Sequence, residues 1–305
     1  TNGGCTVFLP MVLWRRNWKN AFQRLLIPVG YSDYDYHDPI VVGETDSRFW
    51  PQFWDVFHRE LSSRYQGRLY DIIELTGIKE VHIAGDVNWS QDDVCPFIDL
   101  SPFNSGEEFL GTLSSKHRYN LLRRQRQLQS NGSVSFEVCG PSHEDKSRCE
   151  LSSLLDHHSR RWPKAYKARG LHNNLVQSGI PEGLVHFSVF SLNGTAISWR
   201  IGFIFRERFY SYMPAYNAEY EHFSPGQLHL LLCISDAIGR RLKVFDHLRG
   251  KENYKAGWTN RVDHLYSLSI RGNAFGSSLR NLAAGQIRPA LGRVLGRCGK
   301  GGVHG

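Results

Sequence analysis

Residues 184–205 read Leu-Val-His-Phe-Ser-Val-Phe-Ser-Leu-Asn-Gly-Thr-Ala-Ile-Ser-Trp-Arg-Ile-Gly-Phe-Ile-Phe. Leu184–Leu192 and Thr195–Phe205 are two apolar runs, and in the second Thr195, Ile197, Trp199, Ile201, Phe203 and Phe205 share one parity, the period of a strand. Asn193-Gly194 joins them. Both central residues of a type I′ turn need positive φ, so this pair between two such runs predicts a hairpin. Arg206-Glu207-Arg208 turns the chain into a third strand, Phe209–Tyr216. Upstream, Val134, Phe136 and Val138 alternate as a strand and Glu150–Lys167 reads as a helix. The centre of the chain is therefore an antiparallel meander with helices beside it.

Working toward the C-terminus, Asn217–Phe223 leads into Ser224-Pro225-Gly226-Gln227 and an apolar-periodic helix, Leu228–Arg241. Ser224 is the expected N-cap, Pro225 suits the first helical position, and Gln227 completes a capping box. Gly226 leaves the backbone N–H groups of about residues 226–228 open to an anion at the positive end of the helix dipole, while a plain cap accounts for the same residues. A short strand, Lys243–Leu248, follows and ends in Phe245-Asp246-His247-Leu248-Arg249-Gly250-Lys251-Glu252-Asn253-Tyr254-Lys255.

Toward the N-terminus, Glu107–Ser130 reads as one helix closed by Asn131-Gly132, and its second half carries Lys116, Arg118, Arg123, Arg124 and Arg126. Those cations suit the phosphates of a nucleotide-bearing ligand or a nucleic acid; a solvated face bridging two domains is the plainer alternative. Phe49, Phe53, Trp54, Phe57 and Leu61 recur at helical spacing in 49–76 and predict a core-facing helix. Thr6–Trp14 reads as a strand entered partway through a domain. Tyr31–His37 and Tyr216–His222 have similar spacing, as a relic of duplication or as coincidence in a tyrosine-rich chain.

Ser-Pro-Gly followed about twenty residues later by Phe-Asp-x-Leu-Arg-Gly-x-Glu-x-Tyr-Lys-x-x-Trp, with the Leu-x-x-x-x-Arg-x-x-Leu-Leu-Arg-Arg pattern at 113–124, resembles the CelD-like (cellulose-biosynthesis-associated) branch of the GNAT N-acetyltransferase superfamily, related to the Fem-type aminoacyltransferases. The resemblance covers roughly residues 110–270. It departs from the usual phosphate loop, since Phe223-Ser-Pro-Gly-Gln-Leu offers one glycine. It implies tandem GNAT-like α/β (α+β) domains with a mixed, mostly antiparallel sheet flanked by helices. The implied first domain, 1–140, is degenerate and possibly truncated, and ends in the basic helix 107–130. An acyl-CoA-binding domain spans 141–272, and a basic helix, about Ser277–Leu295, with a Gly-rich tail occupies 273–305.

The same resemblance implies acetyl-CoA or another acyl-CoA as co-substrate and an amine acceptor, a small molecule or a sugar or envelope precursor. Ser224, Pro225, Gly226, Gln227, Leu228 and Tyr212 are the expected cofactor contacts. At the strand end Asp246 either orients or deprotonates the amine or caps the next turn. Tyr254 is placed to protonate the leaving thiolate, and Arg249 and Lys255 to bind a phosphate or carboxylate. With Glu252 these read equally as ion pairs that fix the loop. Tyr210, Tyr212 and Tyr216 share a parity and are expected to wall the acceptor pocket or to join the core.

The 305 residues carry 37 Lys+Arg and 29 Asp+Glu, a net charge of +8, and 41% are hydrophobic, enough for ordinary cores and for two domains by length. No apolar run approaches the ~20 residues of a membrane span. Six cysteines without CxxC spacing fit a cytoplasmic protein, dispersed histidines without ligand spacing predict no metal, and double-stranded nucleic acid is not expected. With no Cys in 224–258 except Cys233 inside the helix, direct transfer is preferred to a covalent enzyme intermediate. Two rival readings remain: a Fem-like transferase drawing on aminoacyl-tRNA, and a non-catalytic component of a polysaccharide-synthesis assembly.

Overall fold

The computed structural model describes residues 5–31, 34–46, 48–65, 69–83, 88–163, 170–259 and 261–298. The chain divides into two compact units, residues 1–94 with 263–305, and residues 95–262. The boundaries expected at 140 and 272 are therefore corrected. The basic helix belongs to the second unit, and the chain returns to the first unit in its last forty-odd residues.

Strands and helices are numbered in chain order. In the first unit Thr6–Phe8 (β1) and Met11–Arg15 (β2) are separate strands, because Leu9-Pro10 interrupts the run and Pro10 has no N–H for a ladder. Strand β2 pairs antiparallel with Arg24–Pro28 (β3), and Ile40–Val42 (β4) pairs with β1. Helix α1 is Phe49–Tyr65, so the helix expected over 49–76 ends early. Ile72–Lys79 forms strand β5 instead, parallel to β3, where the β-branched Ile72 and Ile73 suit a strand. Trp54 of α1, 1% exposed, packs with Ile73, Leu75 and Ile78, and its Nε1 donates to the His82 carbonyl at 2.6 Å.

Strand β6, Ser90–Asp99, enters the second unit at Cys95. The single helix expected over 107–130 is two: α2, Gly106–Thr112, and α3, Ser115–Gln129. Leu113 is extended, and the Ser114 side chain accepts from the His117 amide as a fresh N-cap, as Ser105 caps α2 from Glu108. Then come Val134–Val138 (β7), Glu144–Arg161 (α4), Leu171–Gly179 (α5), Val185–Leu192 (β8), Thr195–Phe205 (β9), Arg208–Tyr216 (β10), Pro225–Gly239 (α6), Val244–Asp246 (β11) and the short α7, Asn253–Ala256.

The meander stands as read. Strands β7, β8, β9 and β10 pair antiparallel in sequence, Asn193 and Gly194 have φ of 51° and 77°, and Arg206 and Glu207 also have positive φ at the second turn. Strand β11 joins β10 in parallel and β6 antiparallel, giving the order β6-β11-β10-β9-β8-β7 in this unit. Helices cover both faces, so Ile197–Gly202 is buried throughout instead of alternating. Leu230, Cys233, Ile234 and Ala237 of α6 pack with Phe245 and Phe209 on one side; Leu151 and Leu154 of α4 pack with Trp199 and Ile201 on the other.

Val262–Arg271 (β12) pairs antiparallel with β5, giving the order β2-β3-β5-β12 in the first unit, and Phe275–Cys298 forms α8. Asp71, fully buried, receives Arg24 through its amide and side chain, Arg280 through Nε and Nη2 at 2.8 and 2.7 Å, and the Ser277 hydroxyl at 2.7 Å. This cluster fastens the start of α8 to the strand layer. The Gly-rich tail after 298 lies outside the described residues.

Candidate active site

Strands β10 and β11 pair only from Arg208 to Tyr210 against Val244 to Asp246. Beyond Tyr210 the ladder with β11 ends while β10 runs on to Tyr216, and a 3-10 turn, Ala218–Phe223, leads from there to α6. A β-bulge falls in the same stretch: Tyr210 pairs Phe203 while Met213 pairs Ile201, so β10 carries one extra residue. The bulge breaks the parity expected to align Tyr210, Tyr212 and Tyr216. Tyr212 Oη meets His172 Nε2 at 3.2 Å beside the α4–α5 core, away from the cleft described next. Tyr216 Oη bonds Glu221 at 3.1 Å and Arg161 at 3.0 Å.

The turn into α6 differs from the expected capping box. Ser224 adopts the left-handed conformation (φ 55°, ψ 50°) and its hydroxyl makes no cap bond; its carbonyl instead takes the amides of Gln227 at 3.0 Å and Leu228 at 3.3 Å. Pro225 has no N–H. The Gly226 amide is therefore the one first-turn donor left open at the positive end of a fifteen-residue helix. A Cβ at Gly226 would lie 3.4 Å from the Tyr216 ring, an ordinary contact. Gln227 turns its side chain to Trp258, whose Nε1 donates to Oε1 at 3.0 Å.

In front of this turn lies a cleft of about 690 Å³. Ser224, Gln227 and Leu228 form one wall; Lys116, His117, Asn120, Arg123 and Arg124 of α3 form a second; Asn253, Tyr254 and Gly257 close the third. Lys116, Asn120 and Arg123 are exposed. The α3 residues at 116, 120 and 123 recur at helical spacing on one face, so the basic helix and the Ser-Pro-Gly turn meet across the opening. The other two candidate cations of this helix are elsewhere: Arg118 donates to the Gly111 carbonyl at 2.7 Å, and Arg126 does not line the cleft. Arg124 is half-buried and also donates to the His222 carbonyl, holding α3 against the approach to the turn. His117, with Nδ1 at 2.6 Å from the Gly257 carbonyl and its ring edge-on to Trp258, fixes the third wall. His117, Asn120, Asn253 and Gly257 were not singled out from the sequence; the helical spacing from Lys116 and Arg123 was the available signal for the first two.

The loop after β11 is held from within. Asp246 is fully buried, accepts Arg208 Nη1 at 2.9 Å and caps the turn through the Leu248 amide at 2.8 Å. Lys255, 3% exposed, donates to the carbonyls of Leu248 at 3.2 Å and Arg249 at 2.8 Å and pairs with Glu252 at 2.9 Å. These contacts are those of the loop-fixing alternative for Asp246, Glu252 and Lys255, with Arg208 as a partner of Asp246 that the sequence reading did not name. Arg249 is half-buried and lies outside the cleft walls. Tyr254, 41% exposed, is the candidate proton-transfer side chain that faces the opening. Cys233 is buried, and burial pushes its thiol up to about 11, so it is no nucleophile at neutral pH. Among the described residues no cluster of three or more His, Cys, Asp or Glu could hold a metal, and no helix is long and apolar enough to cross a membrane.

Residues 115–256, which contain α3, the meander, the Ser-Pro-Gly turn and α7, match the acetyltransferase (GNAT) domain family. Among solved structures, the C-terminal DUF2156 domain of a protein assigned as a lysylphosphatidylglycerol synthetase from Agrobacterium fabrum is similar, with a TM-score of 0.59 and 11% identity over 93% of this chain and 88% of that one. FemX is similar with a TM-score of 0.55 and 7% identity, over 90% of this chain and 86% of that one. A conserved Bacteroides thetaiotaomicron protein of unknown function gives a TM-score of 0.53 and 10% identity, over 88% and 85%. At these identities the likeness is one of fold. No curated protein matches.

Proposed function

We propose that the chain is an acyl-CoA-dependent N-acyltransferase whose donor site is the cleft at the start of α6. One observation carries this reading: the Ser224–Leu228 turn, which starts a helix with its Gly226 amide left open, and the exposed cations Lys116 and Arg123 border one cleft. The residues fit a phosphate-bearing thioester. Gly226 and the helix dipole suit a pyrophosphate, Lys116, Arg123 and Arg124 its remaining charge, and the part of β10 beyond its ladder with β11 the amides of a pantetheine arm. The donor supplies an activated thioester carbonyl.

In this reading Tyr254 gives its proton to the departing thiolate as the N–C(O) bond forms and the C–S bond breaks, and the proton released by the acylated amine passes through solvent to restore the tyrosine. Asp246, Glu252 and Lys255 hold the loop that presents Tyr254, and the transfer is direct to an amine because the one cysteine of α6 is an inert thiol. The Phe245–Trp258 motif supports assignment to the CelD-like branch and, with it, an amine in a polysaccharide or envelope precursor as acceptor. Calorimetry with acetyl-CoA and CoA tests the donor: micromolar binding is expected, weakened about tenfold or more by Gly226→Leu. Absence of binding at sub-millimolar ligand, or an indifferent Gly226→Leu, would sink it.

A second reading draws support from the fold similarity to FemX and from the exposed cations of α3: an aminoacyl-tRNA donor on the same site. Its mark is a steep fall of tRNA affinity with salt, log Kd changing by several units per decade. A flat slope removes it.

A further inference from the structure

Beneath the Gly226 turn lies a charge for which the donor cleft alone does not account. Arg200 of β9 is 4% exposed, yet among the described residues no carboxylate lies within ion-pair distance of it and its Nε has no hydrogen-bond partner. Its two terminal nitrogens reach in different directions. Nη1 donates to Ser211 Oγ at 2.8 Å, on the stretch of β10 that has already parted from β11, and Nη2 reaches the Gly226 carbonyl at 3.4 Å. A guanidinium stays charged in proteins, and an unpaired buried charge is strongly disfavoured unless something compensates it. The groups around Arg200 do the opposite. His229, bridged between Ser188 Oγ at 2.9 Å and Ser198 Oγ at 3.0 Å, and His247, whose Nε2 is buried without a partner, are both kept neutral, first by burial and next by the Arg200 charge. Lys255, the other nearby cation, already has Glu252. The positive end of α6 adds to the same field.

We infer that Arg200 is a positioning residue of the donor site: its buried guanidinium ties the Gly226 turn to the stretch of β10 beyond its ladder with β11 and supplies positive potential that the phosphates of the bound donor neutralise. This rests on the donor reading above and extends it to a residue that does not line the cleft. The fold then carries an electrostatic imbalance that an anionic ligand relieves, so phosphate recognition and the geometry of the pantetheine edge are coupled through one side chain.

The test compares a charged and an uncharged ligand. Calorimetric or NMR titration with CoA and with pantetheine, which lacks the phosphates, is run on the wild type, Arg200→Met and Arg200→Lys, with circular dichroism as a check on folding. Arg200→Met is expected to weaken CoA about tenfold or more while pantetheine changes less than about twofold; Arg200→Lys, which keeps the charge but not the fork, recovers part of the loss. Equal weakening of both ligands assigns Arg200 a merely structural role and overturns the inference, as does unchanged CoA affinity. If Arg200→Met fails to fold, Arg200→Lys decides alone: a CoA affinity unchanged from wild type, or one reduced in step with pantetheine, overturns the inference, and a selective CoA loss supports it. A wild type that binds no CoA overturns the donor reading itself and is thereby distinguished.

Discussion

The two units use the same chain path to different ends. In each, an antiparallel hairpin (β2–β3, β9–β10) is followed by a crossover that contains a helix (α1, α6). A strand parallel to the hairpin's second member comes next (β5, β11), and an antiparallel strand (β12, β6) flanks it. In each, the parallel contact is brief, Leu25–Leu26 with Ile72–Ile73 and Arg208–Tyr210 with Val244–Asp246. In each, an arginine at the head of the first strand, Arg24 or Arg208, meets a fully buried aspartate beside the second, Asp71 or Asp246. The Tyr31–His37 and Tyr216–His222 segments follow β3 and β10 in turn, which favours duplication over coincidence. What differs is the helix start. Helix α6 opens with Pro225-Gly226 after the 3-10 turn Ala218–Phe223 and packs near a basic helix; α1 opens with Phe49-Trp50-Pro51 and buries Trp54. On the proposed reading, the shared topology serves a ligand only where an open backbone amide and a cationic face lie close together.

The comparison breaks first at the two aspartates. Asp71 is a hub for two arginines and a serine. Burial opposes its ionisation, yet the hydrogen bonds from Arg280, Arg24 and Ser277 hold its carboxyl well below the usual carboxylate range. Asp71→Asn is expected to cost about 3–5 kcal/mol in urea unfolding, because it leaves two part-buried guanidinium groups without their counter-ion. A depressed pKa means that the contribution is complete above the unfolded value, about 3.9, and is lost as pH falls through the folded one. Wild-type Asp71 therefore fails only in strong acid. A loss under about 1 kcal/mol for Asp71→Asn would show that the hub is not what holds α8.

Tyr254 makes the converse claim, activity without stability. Being 41% exposed and at the cleft wall, it is expected on replacement by Phe to lower kcat by about a hundredfold with the melting temperature and donor affinity nearly unchanged. Unchanged kcat would leave the thiolate to be protonated by solvent. The second unit is also the more acid-sensitive. His247, pushed down to about 3 by burial and then by Arg200 and Lys255, must stay neutral in the fold, so between about pH 6.5 and pH 3 the unfolded chain binds the extra proton. Stability should fall with decreasing pH by about 1.4 kcal/mol per unit for such a histidine, and His247→Asn should flatten that slope in urea titrations at pH 7, 6 and 5. An equal slope in the variant refutes the assignment.

The hairpin, the meander and the helix entry at 224–228 were legible because Asn-Gly turns, strand parity and Pro-Gly starts are local signals. The pairing of β12 with β5 was not, since no periodicity links residues so distant in sequence, and so the division into units came out wrong. The break at Leu113–Ser114 was missed because a continuous polar-apolar rhythm masks the extended backbone there, and only the structure shows Ser114 capping a second helix as Ser105 caps the first. Asp246, Glu252 and Lys255 were found as residues and left open as to role. Separating a base from an ion pair needs burial and partners, which sequence spacing does not encode. Ser224 illustrates the limit most sharply: the residue type of an N-cap was right, but its left-handed backbone hands the capping task to its carbonyl and leaves Gly226 as the open donor.

The smallest expected effect separates the cations of α3. Arg123 is exposed on the cleft wall, whereas Arg118 spends its guanidinium on the Gly111 carbonyl. An exposed charge facing a solvated polyanion contributes up to about 1 kcal/mol, so Arg123→Ala should weaken CoA by no more than about fivefold and make its salt dependence shallower. Arg118→Ala should leave affinity and salt dependence as they were and lower stability slightly through the lost tie to α2. If both variants weaken CoA alike, the cations act as a diffuse field over the whole second unit and the cleft wall has no privileged face. If only Arg123→Ala does so, the helical spacing 116, 120, 123 is the feature that the α1 side of the duplicated plan lacks.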